Sequence, residues 1–324
     1  MKPRSLRRGL APAAVVAALS LGLTACGGAN AGSGTAPQSG GGKQVSGAIR
    51  IDGSSTVGPL STVAAELFMQ QNPGAQVTVG TSGTGGGFEK FCAGETDISD
   101  ASRPIEPAEA KACKQKGIEY AEIPVANDAL TVVTNKANRW AKCLTVDQLK
   151  RVWEPKSKVN SWKQVDPGFP AEKLELFGPG TDSGTFEYFT EEITGEEGAS
   201  RTDYSASEDD NVIVQGVAGS KGGLGYFGYT YFEENKDELN AVQIDGGNGC
   251  VAPSRATVLD GSYQPLSRPL YIYVSTEAMQ QPQVKAFVDY YAENIDEIAP
   301  KAKFIELNDE QKAELAQTVG KLTG

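Results

Sequence analysis

From residue 47 onward, short apolar runs alternate with stretches whose apolar residues recur every three or four positions, the pattern of strands alternating with helices in an α/β protein. "AIRI" (48–51) predicts a strand, and behind "DGSST" the residues Leu60, Val63, Ala64, Leu67 and Phe68 keep helical spacing until Asn72-Pro73-Gly74 breaks it. "QVTV" (76–79) predicts the next strand, followed by the glycine-rich "GTSGTGGG" and a helix beginning near Phe88. A further helix runs from Glu106-Pro107 to Lys116, with Pro107 where a missing N–H costs nothing. "IPVANDALTVVTN" (123–135) reads as one long apolar strand, "LTVDQLKRVWEP" as a helix stopped by Pro155, and "KLELF" (173–177) as a strand feeding a helix marked by Phe186, Phe189 and Ile193. Gly and aromatic residues alternate through "GGLGYFGYTYF" (222–232), which predicts buried strand, and "PLYIYVS" (269–275) predicts another. Helices near 282–294 and 309–319 follow.

Three of the strand-to-helix connections share one composition: "DGSSTV", "GTSGTGGG" and "DSGTF". A helix start presents unpaired N–H groups and the positive end of the macrodipole, so each loop is an anion cradle. Ser54, Ser55, Thr56, Thr84, Ser183 and Thr185 add hydroxyl donors, and Gly184 lets the backbone approach closely. One such loop is an ordinary helix cap; three can converge on one ligand beyond the strand ends. The loops contain no Lys and the chain has no G-x-x-x-x-G-K-[ST], which excludes a nucleotide P-loop. Arg103 in "DASRPI" stands just before a helix start, placed either for a bidentate oxyanion contact or for a structural salt bridge.

The amino terminus changes the setting. Lys2, Arg4, Arg7 and Arg8 precede an apolar run from about Gly9 to Leu23, too short for a comfortable bilayer span, so residues 1–25 are expected to be a secretory signal peptide. Leu23-Thr24-Ala25-Cys26 resembles a bacterial lipobox, which makes Cys26 the expected lipidation site. Residues 26–46 then form a Gly- and Ser-rich linker with an expected span of about 25 Å. The remaining Cys92, Cys113, Cys143 and Cys250 allow three disulfide connectivities; the nearness of Cys92 and Cys113 in sequence favours that pair and leaves Cys143 for Cys250. A four-thiolate metal site would lack any C-x-x-C pair, so no metal or cofactor is expected. The chain has no histidine, which removes Ser-His, Cys-His and His-ligated zinc chemistry. Acidic residues outnumber basic ones by 11, and by 15 without the four basic residues of the signal peptide, which disfavours nucleic acid as a partner.

Taken in order, "DGSSTV", "GTSGTGGGFEKFCAGETDISDASRPI" and "FGPGTDSGTFEYF" resemble the phosphate-binding lipoproteins of the phosphate-specific ABC importer, the PstS family, over about 47–324. The resemblance implies a two-lobed periplasmic-binding-protein fold of type II with its ligand cleft between lobes. It also implies a non-enzymatic monomer that passes inorganic phosphate to ABC permease subunits and is exported and lipid-anchored to the outer face of the cell membrane. Lobe I is expected at 47–136 plus 267–324 and lobe II at 137–266, with hinge segments near Val133–Asn138 and Leu266–Leu270. The family's contacts fall on Ser55, Thr56, Val57, Thr84, Ser183, Gly184 and Thr185, with Ser54 beside them. Two positions depart: Ser102 stands where the best-known members carry an Asp that accepts the phosphate proton, and Pro179 where they carry an Arg. Arg103 is the expected substitute for the guanidinium, and Asp100, Asp128 or Asp182 for the carboxylate. A carboxylate at the site would discriminate against sulfate, which has no proton to donate.

Other readings are a binding protein for sulfate, molybdate or arsenate, and an aspartic-type hydrolase using Asp182, since Asp182-Ser183-Gly184-Thr185 matches D-[ST]-G-[ST]. The hydrolase needs a second carboxylate sharing a proton, and no other D-[ST]-G occurs.

Overall fold

A computed structural model describes residues 44–323. The signal peptide and Cys26 expected from the sequence lie outside the described residues, as does most of the expected linker. Among the described residues no helix is long and apolar enough to cross a membrane.

The first part of the chain runs β1 (Ser46–Gly53), α1 (Gly58–Gln71), β2 (Gly74–Thr81), α2 (Gly83–Cys92), β3 (Ile98–Ala101), α3 (Pro107–Lys116) and β4 (Tyr120–Asn135). It continues through β5 (Cys143–Thr145), α4 (Val146–Trp153), α5 (Trp162–Val165), β6 (Glu175–Gly178), α6 (Gly184–Thr194), β7 (Ser205–Ala206), α7 (Asp210–Gly219), β8 (Gly223–Gly228) and α8 (Tyr229–Glu234). Then come β9 (Leu239–Ala241), β10 (Gln243–Asp245), β11 (Cys250–Val251), α9 (Arg255–Leu259), β12 (Ser267–Ser275), α10 (Pro282–Glu293), α11 (Ile295–Lys301) and α12 (Asp309–Thr323).

Two expectations are corrected. The glycine-rich segment is itself helical, α2 starting at Gly83 rather than near Phe88, and Gly87 lets it pack closely on the end of β1: a Cβ there would lie 3.1 Å from Asp52 O. The strand at 222–232 ends at Gly228, where Tyr229–Glu234 turns into a helix that packs against β4 and β8.

The strands form a continuous order β2-β1-β3-β12-β4-β8-β6-β7, with β9 also on β4, and a small sheet β11-β10-β5 beside it. β1 is parallel to β2 and β3, and β6 is parallel to β7 and β8, so helices must return each chain segment across a face. β4 joins the two halves. Its residues up to Ala129 pair antiparallel with β12, and from Leu130 onward with β8. The change of partner therefore precedes the 133–138 segment expected from the sequence.

Each half has its own core. Ile49, Ile51, Ile98 and Ile272 pack with Leu60 and Phe68 of α1 and Phe287 and Tyr291 of α10, each large side chain worth roughly 1.5–3 kcal/mol on burial. On the opposite face Phe88 meets Tyr273 edge-on at 4.8 Å, beside the Cys92–Cys113 bridge that ties α2 to α3. In the second half Tyr226 stacks on Phe189 at 3.7 Å and meets Trp153 at 5.0 Å. Cys143–Cys250 joins β5 to β11, so both expected pairings are present.

Candidate functional site

The carboxyl ends of the parallel strands β1 and β6 each lead into a helix start, α1 and α6. After β1, Gly53 (φ 148°) folds so tightly over β3 that a Cβ there would lie 2.9 Å from the Asp100 backbone N, while Ser54 N–H donates to Asp100 O at 2.9 Å. Ser54 Oγ in turn accepts from the N–H groups of Thr56 (3.2 Å) and Val57 (3.4 Å), and Val57 is fully buried, pinning the loop. Across the cleft Ser183 caps α6, its Oγ accepting from Thr185 N–H at 3.2 Å. The two helix starts abut: a Cβ on Gly184 would sit 2.7 Å from Thr56 N, which only glycine permits. Ser55 bridges the halves by donating to Glu187 Oε2 on α6. Ser54–Val57 and Ser183–Thr185 are thus brought together, and Ser55, Thr56 and Ser183–Thr185 line one cavity of about 350 Å³.

A residue that sequence reasoning missed stands among them. Arg268 on β12 donates from Nη2 to Thr56 Oγ1 (3.2 Å), lies 3.5 Å by Nε from Asp128 Oδ2, and places its guanidinium 3.5 Å from the Tyr188 ring centre. Asp128 is its direct cross-strand neighbour on β4. Both are nearly buried, so the pair is held at low dielectric, and burial pushes the Asp128 carboxyl up while Arg268 pulls it down. The signal was available: a lone Asp inside "IPVANDALTVV" and a lone Arg at the start of "RPLYIYV" are charges in apolar strands, which must find partners.

Thr84 and Ser102 form a second group. Their hydroxyls are 3.0 Å apart and Ser102 N–H donates to Thr84 Oγ1 at 3.2 Å. With Arg103 they line a separate cavity of about 280 Å³ facing Glu191 and Glu197. Arg103 is engaged in a two-pronged bond to Glu109 at 2.9 Å on each arm, the structural salt bridge weighed from the sequence, although its side chain still borders the cavity. Ser102 and Arg103 also border Arg268 in a third cavity, so Arg268 links the two groups. Of the candidate carboxylates, Asp100 is fully buried and accepts from Ser61 Oγ at 2.7 Å beneath α1; burial raises its pKa to about 7, with Asp52 adding repulsion against the lowering effect of Ser61. Its side chain is thus committed to the core rather than to the cleft. Asp182 is exposed at the rim, and Pro179 offers only its carbonyl, bonded by Tyr204 Oη at 2.7 Å.

A family profile described as the PBP superfamily domain matches residues 32–294. Protein SphX of Synechocystis is 48% identical over 273 residues, 83% of this chain and 80% of its own. The chain belongs to the PBP superfamily. Its relatives in this superfamily also include a phosphate-binding protein PstS of Staphylococcus saprophyticus, 40% identical over 83% of this chain and 84% of that one. Among solved structures, a possible phosphate binding protein from Planctomyces limnophilus superposes with a TM-score of 0.82 at 46% identity, covering 86% of this chain and 100% of its own. A proposed phosphate ABC transporter substrate-binding protein from Clostridium perfringens, with bound phosphate, gives 0.57 at 26% identity over 81% and 100% of the two chains. The fold is accordingly the two-lobed α/β architecture of periplasmic binding proteins.

Proposed function

We propose that this protein captures inorganic phosphate between its lobes and delivers it to the permease of an ABC importer, acting as a monomeric lipoprotein anchored through Cys26 rather than as an enzyme. The observation that carries the reading is the meeting of two helix starts, Ser54–Val57 and Ser183–Thr185, with the Arg268 guanidinium donating to Thr56 beside them, in a chain whose relatives are named phosphate-binding. Backbone N–H groups and hydroxyls at hydrogen-bond distance act on an anion more strongly than the distant, screened surplus of acidic residues. Arg268 takes the place of the Arg absent at Pro179, Asp128 holds it by charge, and Thr84, Ser102 and Arg103 complete the contacts from the far side. Lobe I ends at the change of partner in β4, at Ala129 and Leu130, and resumes at β12.

Isothermal titration with phosphate, arsenate, sulfate and molybdate tests this. Binding of phosphate and arsenate is expected, with sulfate and molybdate weaker if Asp128, which borders the helix starts, also accepts the ligand's proton. Tight sulfate binding without a phosphate response would refute it, and phosphoester turnover that disappears in Asp182→Ala would restore the hydrolase.

A further inference from the structure

The cavity of about 350 Å³ between the helix starts is larger than an inorganic oxyanion needs; at about 30 Å³ per water it corresponds to roughly a dozen waters. Beyond Ser183–Thr185 its wall changes character. Tyr229, Tyr231 and Phe304 supply aromatic and apolar surface, while Asp182, Glu208 and Asp210 supply carboxylates. Lys303, the basic residue in the wall, is paired with Glu234. Asp128 lines the same space with 5% exposure, and its Oδ2 has no hydrogen-bond donor, Arg268 Nε standing 3.5 Å away. Asp210 titrates near 6, raised first by burial and then by Asp209 and Glu208, so the carboxylates crowd one another at a half-covered site. A wall of this kind repels a second anion and attracts a cation, by charge and by the aromatic surface of Tyr229, the Tyr231 ring already having Lys303 Nζ 5.9 Å from its centre. The space also borders, through Tyr229, Thr230, Phe304 and Ile305, a further cavity of about 270 Å³.

Resting on the phosphate reading above, we propose that the cleft also accepts phosphorylated small molecules bearing a cationic organic group, aminoalkyl phosphates or phosphonates, with the phosphoryl oxygens at the two helix starts and the ammonium between Tyr229 and the carboxylates of Glu208 and Asp210. An uncharged alkyl group of the same length gains only the apolar contact, and a second phosphate is excluded by the acidic wall.

The experiment is calorimetric titration of the full-length protein with inorganic phosphate, ethyl phosphate, O-phosphoethanolamine and 2-aminoethylphosphonate. O-phosphoethanolamine is expected to bind about tenfold or more tightly than ethyl phosphate, the effect of one charge-assisted hydrogen bond, and 2-aminoethylphosphonate separates the ester from the phosphonate form of the same chemistry. In Glu208→Gln and in Asp210→Asn, checked for an unchanged melting temperature, this advantage should shrink at least about threefold while inorganic phosphate binds as before; Tyr229→Leu serves if either variant melts early. Equal binding of O-phosphoethanolamine and ethyl phosphate, or an advantage that survives all three variants, overturns the inference and leaves the phosphate reading standing. Failure of inorganic phosphate itself to bind overturns that reading instead.

Discussion

Arg268 does three jobs through one planar group: it donates to Thr56, pairs with Asp128 and stacks on Tyr188. Lysine keeps the charge but loses the fork and the stacking face. Arg268→Lys is therefore expected to weaken phosphate binding by about tenfold, near the 1.4 kcal/mol of one charge-assisted contact, while chemical denaturation shows a folded protein; unchanged affinity in calorimetry would remove Arg268 from the site. Asp100 makes a different prediction. Its folded pKa of about 7 lies above the ordinary value near 3.8, so the native state binds the proton more tightly than the unfolded chain. The stability this contributes is complete below pH 4 and is lost as pH rises toward 7. Relative to Asp100→Asn, which keeps the acceptor for Ser61, the wild type should lose roughly 1–4 kcal/mol between pH 4 and pH 7 in urea titrations. A flat difference across that range would show that Asp100 is charged in the fold.

At the scale of elements, the strand-to-helix units and the pairing of cysteines were legible because they depend on local periodicity and sequence nearness. What was not legible follows equally from physics. The helical start of α2 hides in glycines whose intrinsic preference is against helix, overridden by the close approach to β1 that they allow. The long apolar run of β4 gives no internal mark of where its partner changes, since both halves bury it on both faces. The disulfides also differ as elements of stability: Cys143–Cys250 closes a separation of 107 residues and Cys92–Cys113 one of 21. On chain-entropy grounds, replacing the Cys143–Cys250 pair by serines should cost about 1.4 kcal/mol more than replacing the other pair, measured as the difference in unfolding free energy. Equal losses would point to native-state contacts as the dominant source.

For the whole molecule, closure is written in one glycine. With the helix starts in contact at Gly184 and Thr56, a Cβ at 184 would lie 2.7 Å from Thr56 N, so a side chain there should oppose the proposed closure. If phosphate closes the lobes as proposed, wild-type small-angle scattering should show a fall in radius of gyration on adding phosphate; Gly184→Ala is expected to abolish it, to weaken phosphate at least about tenfold, and to leave the melting temperature of the ligand-free protein within a few degrees. A wild-type compaction that persists in the variant would place the lobe contact elsewhere.

Sequence alone determined what is local: the α/β alternation, the Ser-, Thr- and Gly-rich loops at helix starts, and the absence of histidine chemistry, because each is encoded in residue types within a few positions of one another. Tertiary structure decided what is distant. It drew Thr56, Asp128, Tyr188 and Arg268 together from four segments, withdrew Asp100 under α1, and tied Arg103 to Glu109. A charge in an apolar strand announces that it needs a partner; only the packed register of β4 against β12 says which one, and which cleft the pair faces.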